Sequence, residues 1–363
     1  MRLALFFTKG GSLKLWEEIG HLDREIKPYQ KLNDYFEEIV FLTYGGKDEL
    51  KYEKLLGRGI KILPNRLKLP PLLYSFLAPF LYAKELRKVD VFKTNQVLGS
   101  WTAVLAKVLF KKKLVVRQGR QWSLFAEKEV KKWKMPFIRF LEKTAYKKAD
   151  LIIAPSWKDK RFIEKIYDIP SIKIKYIPNY IDTDLFKPID IKKENRICCV
   201  AKLEEQKNLF NLIKAVSSLK EKLIIFGSGS LKEKLERFSK ELKADVEFRQ
   251  NIRNNDLPIE LNKSKLFVLV SFYEGCPKAL LEAMSCAMSV IATDVEGTKE
   301  IIKHKENGYL CEVGSKSIRK AISEVLKDVN LQRYIAQNAR KTILDGFSLD
   351  KDLKAEISLY KNL

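Results

Sequence analysis

The strongest constraint in this chain is a rhythm. Short apolar, β-rich runs alternate with segments of helix length, and the alternation starts twice. In the first half the runs are RLALFFT (2–8), EIVFLTY (38–44), VDVFKTN (89–95), KLVVR (113–117), DLIIAPS (150–156) and IKYIPN (174–179). In the second they are NRICCVAK (195–202), LIIFGSG (223–229), VEFRQ (246–250), LFVLVS (266–271) and SVIATD (289–294). Continuous apolar strands joined by helical crossovers specify parallel sheets covered on both faces. The spacing therefore predicts an α/β chain of two doubly wound, Rossmann-like domains, and 363 residues are too many for one ordinary core.

The polar, proline-bearing stretch FKPIDIKKEN (186–195) is read as the junction, with domains over 1–188 and 189–349. QKNLFNLIKAVSSLK (206–220) has apolar residues three and four apart and predicts a helix. FSLDKDLKAEISLYKNL (347–363) predicts a helix with no strand after it, expected over about 350–363 to pack back on the first domain. In doubly wound domains ligands bind beyond the carboxyl ends of strands. The chemistry is sought there, in a cleft across which the two domains face each other.

Several function classes are disfavoured. The apolar run 1–7 is too short for a secretory leader. The longest apolar stretch, 69–83, holds Pro70, Pro71 and Pro79 and falls short of the roughly 20 residues a membrane span needs. Five cysteines without a CxxC pair read as reduced cytosolic thiols, and two histidines argue against a His-based metal site or a triad. The net charge is +23, and residues 51–150 alone hold 24 Lys/Arg against 7 Asp/Glu. That field suits a membrane surface, a nucleic acid or a phosphorylated substrate; the plainer alternative is a solvated lysine-rich surface. Lys/Arg mixed with Trp122, Phe125, Trp133, Phe137 and Phe140 over 110–140 favours an anionic bilayer headgroup region. No helix-turn-helix or base-stacking motif supports nucleic acid.

SFYEGCPKALLEAM (271–284) carries the sharpest signal. A strand ends, the chain turns at Glu274-Gly275, and Pro277 suits the first position of a helix. Free N–H groups at that helix start favour an anion, and Gly275 admits close approach. Glu274 in the loop and Glu282 in the helix can grip two parts of one hydroxyl-rich ligand. Lys202 and Lys207, in VAKLEEQKN (200–208), bunch positive charge where a diphosphate would relieve it. FGSGS (226–230) lacks the third glycine of a dinucleotide fingerprint and is read as a tight turn.

IPNYIDTDLFKP (177–188), VAKLEEQKN (200–208), EGCPKALLEAMSCAMSVIATDVEGTKEII (274–302) and ENGYLCE (306–312), in this order, resemble family-4 retaining glycosyltransferases of the GT-B fold. The match is strong over 174–312. The resemblance implies transfer of a sugar from a nucleotide diphosphate with retained anomeric configuration and no metal or other cofactor; no Asp-x-Asp run stands near a strand end, and DTD (182–184) is read as structural. Glu274 would hold donor-sugar hydroxyls and Glu282 the ribose. The backbone from Gly275 through Cys276, Pro277, Lys278 and Ala279 to Leu280 would cradle the sugar and distal phosphate. Lys202, where the family usually has arginine, and Lys207 would neutralise the leaving diphosphate. Arg249 and Asn251 would lie near the base. Tyr180 stands where the family usually has glycine.

The first half resembles the family less closely. Gly10 and Gly11 fit its glycine loop. Asn95, Gln96, Arg117 and Arg120 are acceptor-side candidates, and no histidine stands near Arg117; His21 is read as structural. The basic, aromatic 110–140 segment, to which 69–83 could add an apolar contact, suggests a lipid-linked or cell-envelope glycan precursor as acceptor and a cytoplasmic enzyme at the inner membrane face. A nucleotide-sugar epimerase, a phosphorylase of the same fold and a basic nucleic-acid binder stay open as alternatives.

Overall fold

The computed structural model describes residues 1–119, 123, 133, 135–250 and 252–363. The chain divides into two compact units, Met1–Ile177 with Leu353–Leu363, and Pro178–Asp352. Each is an all-parallel sheet with helices packed on it, as continuous apolar strands require.

The first unit holds β1 (Arg2–Phe6), β2 (Glu38–Leu42), β3 (Ile60–Leu63), β4 (Val91–Thr94), β5 (Lys113–Arg117), β6 (Leu151–Ala154) and β7 (Ile174–Tyr176), in the spatial order β3-β2-β1-β4-β5-β6-β7. The second holds β8 (Arg196–Val200), β9 (Lys222–Phe226), β10 (Val246–Arg249), β11 (Leu266–Leu269), β12 (Ser289–Thr293) and β13 (Tyr309–Cys311), in the order β10-β9-β8-β11-β12-β13. The order reverses between β1 and β4 in the first unit and between β8 and β11 in the second. In doubly wound sheets the carboxyl ends of the strands at such a reversal are where ligands bind.

Strand geometry explains the CysCys pair. Consecutive side chains point to opposite faces, and Cys198 packs with Leu280 and Met284 while Cys199 packs with Leu212 and Ile213. All five cysteines are free thiols. Burial pushes those of Cys198, Cys199, Cys286 and Cys311 up to about 12.

Three boundaries differ from the sequence reading. Residues 178–188 belong to the second unit, so the division falls after Ile177 and not after residue 188. Ile181 N–H donates to Phe347 O (2.8 Å), Ile181 O accepts from Leu349 N–H (2.9 Å), and Phe186 is buried in the second unit's core. The helix predicted over 206–220 spans Leu209–Val216 and is preceded by a short 3-10 turn, Glu205–Lys207. β3 and β13, of four and three residues, were not predicted as strands.

The helix Leu349–Lys361 carries the chain back into the first unit's core. Glu356, 1% exposed, accepts from Lys93 Nζ (2.6 Å) and Arg117 Nη1 (2.6 Å) and from the Tyr360 hydroxyl (2.8 Å). Burial opposes its charge, but the two cations outweigh it and hold the carboxyl below its ordinary value. Among the described residues no helix is long and apolar enough to cross a membrane.

Candidate active site

In the second unit the site grows from the loops after β8 and β11. After β11 the chain turns through Ser271–Pro277 and enters the helix Lys278–Ser285. Pro277 is the residue capping that helix, extended at φ −73° and ψ 107°, and not its first helical residue. The helix therefore begins at Lys278, and its first N–H groups have no carbonyl one turn back within it. This is the anion-favouring end foreseen from the sequence.

Glu274 is 9% exposed and held by two donors on the same oxygen. Lys207 Nζ lies 2.6 Å from its Oε1, and Ser271 Oγ donates to Oε1 at 2.6 Å. The 3-10 turn carrying Lys207 is fastened to the Glu274 turn by two more bonds. Phe272 N–H donates to Gln206 O (2.9 Å), and Gln206 Nε2 donates to Tyr273 O (2.8 Å). Asn208 follows in the left-handed region at φ 55°, which asparagine tolerates, and its amide donates to Val270 O and Val313 O (both 2.9 Å). The lysine and the carboxylate, 67 residues apart in sequence, are thus one unit.

Glu282 is 4% exposed, in the second turn of the helix. Lys278 places its ammonium 5.1 Å over the Tyr180 ring, so the tyrosine standing where the family usually has glycine gives the helix start a cation–π partner. Cys276 contributes backbone: its carbonyl accepts from Asn179 Nδ2 at 2.7 Å. Ala279 and Leu280 are in the first turn, with Leu280 buried in the core. Lys202, 68% exposed at its side chain, lies 3.9 Å from Glu204.

Arg249 ends β10 within a cluster of charges. Its Nε lies 2.6 Å from Glu247 Oε1 and its Nη1 2.7 Å from Glu260 Oε2. Hydrogen bonds from Arg249 and Lys222 lower the Glu247 carboxyl to about 2. Asn251 and Arg120 lie outside the described residues.

Supporting residues that the sequence reading did not single out sit beneath these loops. Gly297, in the short helix Glu296–Lys299, touches the Glu274 and Gly275 carbonyls so closely that a Cβ would overlap both. Thr293 Oγ1 donates to Ser271 O (2.6 Å), and Thr298 Oγ1 to Thr293 O (2.5 Å). The G in DVEGTKEII was the available signal. Gly227, at φ +149°, abuts the Ala201 carbonyl, and Leu203 N–H donates to Ser228 O (2.9 Å). FGSGS thus props the loop that carries Lys202.

In the first unit the predicted residues gather at the ends of neighbouring strands. Gly10 adopts φ +79°, and Gly11 N–H closes a turn on Thr8 O (2.7 Å). Lys9 N–H donates to Leu98 O (3.3 Å) and Asn95 N–H to Phe6 O (2.9 Å), tying the loops after β1 and β4 together. The Gln96 side chain lies against Gly119 beyond β5. Arg117 is committed to Glu356, so its charge serves the returning helix. Gln118 is buried and accepts from the Tyr146 hydroxyl (2.5 Å). His21 stands at the start of the helix Leu22–Leu32. The sequence reading missed Glu49, a fully buried carboxylate that accepts from the Thr43 hydroxyl and from Lys14 N–H (3.0 Å). Burial raises its pKa. It fixes the segment just after the glycine loop.

Among the described residues no cluster of three His, Cys, Asp or Glu could hold a metal ion. The arrangement offers, at the β8 and β11 loops, a helix end, an exposed lysine, and a buried carboxylate–lysine pair.

The chain is similar to known proteins over both of its halves. The family model for glycosyl transferases group 1 matches residues 181–342, and that for glycosyltransferase family 4 matches residues 36–185. An uncharacterized glycosyltransferase of Methanocaldococcus jannaschii is 28% identical over 294 residues, 75% of this chain and 73% of that protein. A Campylobacter jejuni enzyme, GalNAc-alpha-(1->4)-GalNAc-alpha-(1->3)-diNAcBac-PP-undecaprenol alpha-1,4-N-acetyl-D-galactosaminyltransferase, is 26% identical over 266 residues, 71% of each chain. Among solved structures, Anabaena HepE in complex with UDP-glucose superposes over 100% of both chains with a TM-score of 0.79 at 19% identity. Matched by consecutive family models over both halves and by the whole fold, the chain belongs to the family-4 glycosyltransferases of the GT-B fold.

Proposed function

We propose that the chain moves a sugar from a nucleotide-diphosphate donor to a lipid-linked or cell-envelope glycan precursor at the inner membrane face, with retention and without a metal. The observation that carries this reading is the Lys207–Glu274 pair at the β11 turn, beside the N-terminus of Lys278–Ser285. A carboxylate fixed by Lys207 and Ser271 through Oε1 has its Oε2 to accept from donor-sugar hydroxyls. Glu282 accepts from the ribose, and Arg249 with the neighbouring loop lies toward the base. The helix start and the Gly275–Leu280 backbone receive the distal phosphate.

Transfer breaks the bond between the anomeric carbon and a phosphate oxygen. Negative charge then grows on the diphosphate, where Lys202, Lys207 and the helix dipole stabilise it, with fixed cations in the place a metal would take. No residue of the site is placed as a covalent nucleophile. The acceptor oxygen approaches the face the diphosphate leaves, and its proton passes to the departing phosphate oxygen. Gly10, Gly11, Asn95 and Gln96 are the acceptor-side groups of this reading. The lipid-linked acceptor is supported by the Campylobacter relative, whose name specifies an undecaprenol diphosphate glycan. A UDP-sugar is the first donor to try, since HepE was solved with UDP-glucose.

A thermal-shift panel of nucleotide sugars tests the reading. Stabilisation should follow donor concentration over its dissociation constant, and the best donor should release nucleoside diphosphate only when an acceptor is present. Release without acceptor points to hydrolysis or epimerase-like chemistry, and no shift with any nucleotide overturns the reading.

A further inference from the structure

One helix of the first unit is built with its apolar side outward. Pro71–Leu81, PLLYSFLAPFL, has no charged residue. Its inner side buries Tyr74, Ser75, Ala78 and Pro79. Its outer side presents Leu72, Leu73, Phe76, Leu77, Phe80 and Leu81, each 38 to 57% exposed. Among the described residues, the exposed side chains of this helix are all apolar.

The neighbouring helices extend it. Trp101–Phe110 packs beside Pro71–Leu81, and Met135–Lys148 packs beside Trp101–Phe110. Tyr74, Ala78, Ala103, Ala106 and Tyr146 join one core on the same face of the sheet, so the three helices form one layer. The outer side of the layer adds Val108, Leu109, Phe137 and Phe140, all exposed. Scattered apolar residues are ordinary on a protein surface, but a contiguous apolar layer marks a contact surface.

Charge decides what it contacts. Lys68, Lys84, Arg87, Lys111, Arg139 and Lys143 are exposed on these helices or the segments flanking them. Of the acids there, Glu142 is fully buried, bound by the Tyr167 hydroxyl and Ser123 N–H. An apolar centre with cations around it and few acids matches an anionic bilayer, where apolar side chains enter the acyl boundary and cations meet headgroups. A second copy of the chain would bring the same positive charge to the contact.

We propose that the outer face of these three helices docks on an anionic lipid bilayer, with Phe76 and Phe80 as its inserted anchors. This rests on the membrane-surface part of the function proposed above and gives it a location. The face centres on Pro71–Leu81 and takes in Phe137 and Phe140 from the basic 110–140 segment that the sequence favours.

The test is vesicle flotation of the full chain with phosphatidylcholine vesicles, with and without 30% phosphatidylglycerol. Binding is expected to the anionic vesicles, weakening as salt rises. F76D/F80D should lower the vesicle partition coefficient at least tenfold. I172D replaces an exposed apolar residue (78% exposed) outside the three helices and should leave binding unchanged. Both variants alter exposed positions, and an unchanged far-UV spectrum shows that they fold. Absence of binding by the parent chain, or wild-type binding by F76D/F80D, overturns the proposal. So does a dimer in light scattering that F76D/F80D dissolves, because the face would then belong to a second copy. The nucleotide thermal shift is measured on the same samples. A shift without vesicle binding refutes the docking face alone, and vesicle binding without a shift refutes the transfer reading alone.

Discussion

Glu356→Gln removes a carboxylate that joins the returning helix to β4 and β5. Lys93, 3% exposed, and Arg117 then face an amide instead of a charge. Removing one partner of a buried ion pair costs about 3–5 kcal/mol, mostly for the charge left behind. Glutamine keeps the shape and one accepting oxygen, so the lower end, about 3 kcal/mol, is expected. For a unit of this size that is a fall of roughly 6–12 °C in its melting transition. Differential scanning calorimetry is the assay, because two units can melt separately and only the first should move.

Two further measurements make the reasoning vulnerable. Adding Lys93→Met removes the stranded ammonium, so the double variant should recover at least half of the loss. The pH dependence has a fixed sign. The wild-type carboxyl is held below its ordinary value, so its contribution is complete at neutral pH and fades as pH falls through the folded-state value. The gap between wild type and Glu356→Gln should therefore close in acid. An unchanged first transition, or a double variant no better than the single, refutes the account.

The site supplies three more predictions. Glu274→Ala should abolish transfer while Cys276→Ser keeps most of it, because Cys276 serves through its carbonyl; steady-state kinetics decide, and the reverse order would make the thiol the working group. Lys207→Met strands a buried carboxylate and removes a cation from the leaving group, so kcat should fall by on the order of 10²–10³, with Lys207→Arg recovering part of it. Gly297→Ala drives a methyl into the Glu274 and Gly275 carbonyls and should reduce the nucleotide thermal shift at a stability cost of about 1–3 kcal/mol.

How much of this was legible follows from which signals are local. The apolar runs and their spacing predicted both parallel sheets, because a parallel strand is buried on both faces and shows as an unbroken run. Ile60–Leu63 and Tyr309–Cys311 escaped because Lys61 interrupts the first apolar run and Gly308 and Glu312 bound the second at once. The junction at 186–195 reads as a linker from its polarity, yet Ile181 and Phe186, just before it, are buried in the second unit. Packing, not composition, sets the division. The helix start at Leu209 depends on Asn208 holding a left-handed backbone through two distant carbonyls. The strand-end placement of Glu274, Glu282, Lys202 and Lys207 was readable from motif and topology. The Lys207–Glu274 bond and the support from Gly297 were not, since they join segments 67 and more than 20 residues apart. Arg117 looked like a substrate contact because its partner, Glu356, lies 239 residues downstream.

That last separation has a consequence for biosynthesis. The first unit is written in two pieces, with the whole second unit translated between them. At about 5–20 residues per second, Lys93 and Arg117 leave the ribosome's active centre roughly 12–50 s before Glu356 is made. During that interval the emerging first unit carries two cations in want of their carboxylate, while the second unit, Pro178–Asp352, is being made. The unit that is begun first is completed second, and a released chain truncated after Asp352 should bind nucleotide through its second unit while its first remains open to protease.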